Sequence, residues 1–206
     1  MELTRRLLTS LPTLPSGPAR SRAVVKIVIL FVAEMAARPR RTKWTKALLF
    51  TCWNADGVHG RKQELDHFLG QHGIDICLLN KTHLRSGEVF RLTYYVCHRN
   101  DRLTEGGGAA ILVRRVIDHH NVPVQGLQHL DLTAIHVMFA SKPAKILAAY
   151  LSHTRLLIAS DLSACLGGDL HLLMAGDLNA KHVEWNSRLI TKEADACVTI
   201  LIRIHA

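Results

Sequence analysis

The sequence predicts an α+β body built as a sandwich of two packed sheets, and three observations predict it. Short apolar runs without helical period recur from Ala47 onward, as buried strands do. Only two stretches carry a helical period, so helices are few. Clusters of Gly, Pro, Asn and Ser separate the runs, as turns do. Many short strands with few helices suit a layered sheet architecture, and two packed sheets bring strand ends from distant sequence to one rim.

The elements follow in order. Ala47–Trp53 has no helical period and reads as a buried strand. Gly60–Gly73 reads as a helix, because Leu65, Phe68 and Leu69 share a face at i, i+3 and i+4, and Gly73 supplies a C-terminal stop. Ile74–Leu79 is a second buried strand, and Tyr94–Asn100 is a strand leading to a turn. Gly106-Gly107-Gly108 opens the strand Ala109–Arg114. Thr133–Ala140 and Lys145–Leu151 form a hairpin around Ser141-Lys142-Pro143. Ile158–Leu166 reads as a helix closed by Gly167-Gly168, and the strand His171–Ala175 follows.

With 206 residues, 48% of them apolar and 21% charged, the chain has material for one globular domain with a real core. Its net charge of +9 is uneven. Residues 1–46 hold ten Lys/Arg against two acidic residues, whereas residues 47–206 hold sixteen against fifteen. The body is nearly neutral, and the basic N-terminal extension alone attracts polyanions. Three domains of sequence follow: a flexible basic extension at 1–46, a body at 47–192 and an unmatched tail at 193–206.

The extension contains Pro12, Pro15 and Pro18, then an apolar stretch Ala23–Ala37 interrupted by Lys26 and Glu34. That stretch falls short of the roughly 20 residues a membrane span needs, so no membrane partner is expected. Its Arg-rich, acid-poor character also fits an organelle transit peptide, but a solvated tail is the simpler reading. Five cysteines without a Cys-x-x-Cys pair argue against a disulfide framework and a structural zinc. Reduced thiols then place the chain in the nucleus or cytoplasm. All thirteen His lie beyond residue 58, with His119-His120 read as a surface pair, and none forms the His-x-x-x-His of a zincin. The absence of Gly-x-x-x-x-Gly-Lys excludes a P-loop nucleotide cofactor.

The residues that carry chemistry stand at strand ends. In Ala175-Gly-Asp177-Leu-Asn179, residues two apart in extended backbone point the same way. Asp177 can then act as a base toward water, and Asn179 can hold a phosphate oxygen or orient that base. The plain alternative is an Asx-turn in which Asp177 caps local backbone. Asn54, in Trp53-Asn-Ala-Asp-Gly57, is a turn residue that can also present an amide. Tyr150 can hydrogen-bond a phosphate, though a lone Tyr more often packs in a core. Asn80-Lys81-Thr82-His83 follows the second strand, and His83 either donates to phosphate or caps a loop.

The order of these pieces resembles the endonuclease/exonuclease/phosphatase superfamily, and more narrowly the endonuclease domain of jockey-type non-LTR (LINE) retrotransposons. The carrying segments are Phe50–Gly57, Ile76–Leu84 with Asn80-Lys81-Thr82-His83, Glu105–Leu112, Leu147–Tyr150 and Ala175–Asn186. The resemblance covers about residues 47–190. It implies a two-sheet α/β sandwich, a divalent metal, Mg²⁺ or Mn²⁺, and hydrolytic nicking of DNA. Carried onto this chain, it implies catalytic roles for Asp177, Asn179 and Tyr150. It gives Asn54 a part in metal or phosphate binding.

Three departures qualify that implication. The family pattern has a metal-binding Glu where this chain has Lys81, and an ammonium repels Mg²⁺, which demands oxygen ligands. Lys81, with Asn54 and His83, is instead expected to contact phosphate or DNA. The likeness fades after about Thr191, where the family continues with a further catalytic Asp and a terminal Asp-His pair, so the sandwich is expected to be incomplete at the C-terminus. His153 replaces a Pro usual after the Tyr motif. The expectation is an endonuclease-like domain that no longer cuts; the alternatives are a non-catalytic nucleic-acid-binding relic and a translated fragment without function. Strands left without neighbours would self-associate through open edges.

Overall fold

Two four-stranded sheets pack face to face, and the alternation of side chains along each strand decides which faces meet. The computed structural model describes residues 48–101, 106–139, 142–167 and 171–179. The expected extension at 1–46 and tail at 193–206 lie outside the described residues.

The first sheet has the order β1-β2-β4-β3, with β1 at Phe50–Asn54, β2 at Ile76–Asn80, β3 at Tyr95–Asn100 and β4 at Ala109–Arg114. The second has the order β5-β6-β7-β8, with β5 at His119–Asn121, β6 at Leu130–Phe139, β7 at Lys142–Leu151 and β8 at His171–Asp177. The pairs β1/β2 and β7/β8 are parallel and the rest antiparallel. Parallel neighbours need a crossover connection. Helix α1 (Lys62–Gln71) makes it in the first sheet and α2 (Ala159–Leu166) in the second.

Each helix covers the outer face of its own sheet. Leu65 and Leu69 of α1 pack with Cys77, Leu79, Leu112 and Tyr95. Leu162 and Cys165 of α2 pack with Leu132, Leu147, Leu151 and Met174. The opposite faces meet in a third cluster that includes Ile76, Leu78, Ile111, Val113, Ile135, Val137, Ile146 and Ala148. Strands covered on both faces read as unbroken apolar runs, which is why Ile76–Leu79 and Ala109–Val113 show no alternation.

Two buried charges fix α2. Asp161, in its first turn, accepts the backbone N–H groups of Gln128, His129 and Leu130 at 2.9, 2.8 and 3.0 Å. Lys145 donates from Nζ to the Cys165 carbonyl at 3.0 Å, satisfying the helix's C-terminal end. At Gly176 the backbones of β7 and β8 come so close that a Cβ would lie 1.7 Å from the Ala149 carbonyl oxygen. Only glycine allows β8 to reach this register.

The expected sandwich is present, with adjustments at the element ends, among them β6 starting at Leu130 rather than Thr133 and β2 running on to Asn80. β1 starts at Phe50 and runs on to Asn54, and β8 runs on to Asp177. Polar residues at these ends keep their pairing, Asn54 with Asn80 and Asp177 with Tyr150. β7 begins at Lys142, which pairs with Phe139, so Lys142 and Pro143 belong to the ladder. His119 and His120 are not a simple surface pair. They belong to β5, and only His120 is exposed. Among the described residues no helix is long and apolar enough to cross a membrane, and Cys52, Cys77, Cys97 and Cys165 are free thiols.

Candidate functional site

Parallel pairing places the C-terminal ends of β1 and β2 side by side, and likewise those of β7 and β8. Because β1 and β2 pack on β8, four strand ends converge at one rim. Asn54 lies opposite Asn80, and Tyr150 opposite Asp177.

Asp177 is the centre of the rim and only 4% exposed. Its Oδ2 accepts from Asn54 Nδ2 at 2.9 Å, across 123 residues of sequence. The same oxygen lies 3.7 Å from the Lys81 ammonium. Its Oδ1 accepts the backbone N–H of Asn179 at 3.0 Å. Hydrogen bonds from within the protein therefore engage two of the roughly four lone-pair positions of the carboxylate, and the ammonium adds an ion pair beyond hydrogen-bond distance. Two unit charges at this separation and an effective dielectric near 20 attract by about 4 kcal/mol, less whatever solvent removes at the part-exposed ammonium.

The backbone aims Lys81 inward. Lys81 and His83 both adopt left-handed conformations, with φ of 51° and 53°. Such values are uncommon outside Gly, Asn and Asp and persist where the surroundings fix them. Here hydrogen bonds run from Ala55 N to Asn80 O, Gly57 N to Lys81 O and Val58 N to Thr82 O. The loop after β1 is thereby laced to the loop after β2. On the other side, His83 N donates to Gly107 O at 3.0 Å. The ammonium comes to rest 5.5 Å from the centroid of the Tyr150 ring, within cation–π range. Lys81 thus sits between a carboxylate and an aromatic face, with its side chain 26% exposed.

The rim joins Asn54, Lys81, Tyr150 and Asp177, while Asn179 takes the turn alternative and His83 stands aside. Asn179 does not continue the extended backbone of β8. Its φ is 49°, its N–H returns to Asp177, and its Nδ2 donates to the Leu151 carbonyl at 2.7 Å. This is the Asx-turn, and it orients Asp177 through the backbone rather than presenting the Asn179 amide alongside it. His83 points to the margin, with Nε2 4.0 Å from Asp56 Oδ1.

Two contributors escaped the sequence reading. Turned so that each end meets its complement, the Asn80 carboxamide donates to Ala149 O at 3.0 Å and accepts from Asp177 N at 3.3 Å, bridging the two sheets beneath the site. Asp131, opposite Tyr150 on β6, accepts the Gly108 N–H at 3.0 Å. A buried Asp within an apolar strand was the available signal for it. Below Asn80, burial pushes the Cys52 thiol up to about 12, with help from the Asp177 charge. That thiol is not a nucleophile.

A divalent cation does not fit these residues. Asn54 Oδ1 is buried without a partner and could serve as an oxygen ligand. The one carboxylate beside it is already held by an ammonium, and no group of three His, Cys, Asp or Glu able to hold a metal occurs among the described residues. Mg²⁺ requires near-octahedral oxygen ligation, and the Lys81 charge opposes its entry.

Comparison with known proteins gives the same lineage. The Endonuclease/Exonuclease/phosphatase family pattern matches residues 51–199. The RNA-directed DNA polymerase from mobile element jockey of Drosophila funebris is 33% identical over 144 residues, covering 66% of this chain and 15% of that protein. The probable RNA-directed DNA polymerase from transposon X-element of Drosophila melanogaster is 28% identical over 139 residues, again covering 66% of this chain and 15% of that protein. This chain therefore spans about 15% of the length of these curated relatives. Among solved structures, the endonuclease domain of TRAS1, a telomere-specific non-LTR retrotransposon, shares the fold with a TM-score of 0.61 at 17% identity, over 75% of this chain and 71% of that one.

Proposed function

Given that this chain belongs to the endonuclease/exonuclease/phosphatase family, we propose that it is a retrotransposon-type endonuclease-like domain that engages a DNA phosphodiester at the Asp177 rim without hydrolysing it. The observation that carries this reading is the Lys81–Asp177 ion pair at 3.7 Å. The family's nucleases generally use a divalent metal, whose charge polarises the phosphoryl oxygen and stabilises the leaving oxygen. A glutamate with a bound dication contributes a net +1, and so does one lysine. The exchange preserves the attraction for phosphate but removes the Lewis acid.

The remaining residues suit binding rather than turnover. Lys81 donates to a phosphate oxygen from the mouth of the site, the Tyr150 phenol stands beside it, and His83 offers a contact only at the margin. Asn54 and the Asn179 backbone hold the Asp177 carboxylate. An aspartate so held is poorly placed to take a proton from water. Mg²⁺ or Mn²⁺ has no role in this reading.

The test is nicking of supercoiled plasmid with Mg²⁺ or Mn²⁺, paired with DNA binding in EDTA across a salt series. We expect no nicking by the native chain and binding that weakens with salt but not with EDTA. Lys81→Gln should lower the log–log salt slope by about one, the signature of a lost phosphate contact. Nicking by the native chain that disappears in Asp177→Ala would overturn the reading, because another group would then be supplying the lost ligand. Nicking gained by Lys81→Glu would identify Lys81 as the lesion.

A further inference from the structure

Four imidazoles gather on the side of the sandwich away from Asp177. The sheets are stacked so that β1 lies over β8 and β3 over β6, next to the edge strand β5. Around β5 the rings form two couples. His98 and His119 have ring centroids 4.9 Å apart with planes at 86°, and His120 and His136 have centroids 5.1 Å apart at 84°. Successive residues of a strand face opposite ways, so His119 turns toward the space between the sheets and His120 away from it. The cross-strand partners agree. His119 lies opposite Val137 and His98 opposite Ile111, both members of the cluster between the sheets.

The first couple has two features that a chelate uses. His119 Nδ1 lies 2.7 Å from the Ile117 carbonyl oxygen. A carbonyl only accepts, so this nitrogen carries the proton and Nε2 keeps its lone pair. An imidazole that gives its other N–H to a carbonyl is the usual posture of a metal-ligating histidine. Facing it, His98 Nε2 is buried with no hydrogen-bond partner among the described residues, a state native folds rarely leave unexplained. The two rings come from different sheets, 21 positions apart in sequence. Two imidazoles sharing a tetrahedral Zn²⁺ at about 2.0–2.1 Å place their ring centres about 5 Å apart, the separation seen here.

We propose that His98 and His119 form a two-imidazole site for a borderline transition cation of the Zn²⁺ or Cu²⁺ class, clipping β3 to β5 across the lateral edge of the sandwich. Imidazole suits these ions and not Mg²⁺. The two imidazoles are all that the described residues contribute, since no group of three His, Cys, Asp or Glu able to hold a metal occurs among them, so a bound ion would have to admit water on the side of the intermediate, part-exposed His119. Burial, and then the facing His119, keep His98 below the usual histidine range, so the ligand is neutral at neutral pH. The second couple lacks these advantages. Lys145 lies opposite His136 on β7, and its cationic charge is among the causes that hold His136 below the usual range. The same charge repels a metal ion. That couple therefore serves as an internal control.

The experiment titrates the full, reduced chain with Zn²⁺ alone and follows heat of binding and Tm. The expected result is saturation at one equivalent with a raised Tm, and no response to Mg²⁺. His120→Ala should retain the response. His98→Ala and His119→Gln should weaken it by about tenfold or more; the second variant preserves bulk and polarity where the first could disturb packing. Cu²⁺ bound to the native chain should show two imidazole nitrogens by electron paramagnetic resonance. The proposal fails if Tm does not move in excess Zn²⁺, or if the shift survives undiminished in His119→Gln, which would place the metal elsewhere, at thiols for example. Neither result touches the Asp177 rim.

Discussion

Replacing Lys81 by glutamate should convert the stability of this domain from metal-indifferent to metal-dependent. In the native chain the ammonium stands 3.7 Å from Asp177 Oδ2, an attraction of about 4 kcal/mol at an effective dielectric near 20. A carboxylate at position 81 turns this into a repulsion between two acids beside an almost fully buried Asp177. The side chain at 81 can swing toward solvent, which removes much of the gross change. A net loss of about 1–3 kcal/mol remains, in line with breaking a part-buried polar pair. A dication bridging the introduced carboxylate, Asp177 and the unpartnered Asn54 Oδ1 would reverse that loss. The assay is urea unfolding of native and Lys81→Glu chains in EDTA and in millimolar Mg²⁺ or Mn²⁺. We expect the native midpoint to ignore the metal and the variant midpoint to fall in EDTA and recover with metal, since an ion that binds only the folded state stabilises it by mass action. A native chain stabilised by Mg²⁺, with a variant that is not, would refute the claim that Lys81 occupies the cation's place.

Two further predictions concern the framework. Gly176→Ala places a Cβ 1.7 Å from Ala149 O, 2.7 Å from Ala149 C and 3.0 Å from Ala149 N. None of these backbone atoms can rotate away, so β7 and β8 must part, and we expect a loss at or above the upper end of the roughly 1–3 kcal/mol typical of overpacking. A shift in the urea midpoint worth less than about 1 kcal/mol would contradict the close approach. The second prediction concerns acid. His98 and His136 are both held below the usual histidine range, chiefly by burial. Below pH about 6.5 the unfolded chain takes up protons at these sites before the folded chain does. Stability therefore rises with pH in this range, is lost as pH falls below about 6.5, and is unaffected by these groups well above it. Unfolding midpoints from mildly acidic to mildly basic pH measure this, and a His98→Gln chain should show a shallower slope. An unchanged slope would remove His98 from the account.

Most of the fold was legible because its signals are local. Buried strands such as Ile76–Leu79 and Ala109–Val113 announce themselves as unbroken apolar runs, and α1 by the spacing of Leu65, Phe68 and Leu69. β5 was hidden for the opposite reason. His119-His120-Asn121 has little strand propensity, and only pairing with β6 holds it extended. The ends of β1 and β8 were cut short at the last apolar residue, although the ladders continue through Asn54 and Asp177, where the chemistry lies.

The site itself was legible as a list and not as an arrangement. Strand ends carrying Asn54, Lys81, Tyr150 and Asp177 could be named from sequence, but which of them touch depends on the stacking of two sheets and on the register of β7 against β8. Asn179 shows the limit. Spacing of two implies a shared direction only while the backbone stays extended, and a φ of 49° ends that condition one residue after Leu178. Lys81 shows it from the other side. By charge alone a lysine in place of a metal-binding acid reads as a defect that repels ions. Geometry adds that the left-handed backbone at 81, laced to the β1 loop, delivers the ammonium to Asp177 and the Tyr150 ring. A charge that is merely incompatible with metal would turn outward to water, whereas this one has two inward partners, a carboxylate and an aromatic ring, on a backbone that is itself tied down. The substitution is therefore integrated into the packing of the rim, and reversing it tests the whole arrangement rather than one side chain.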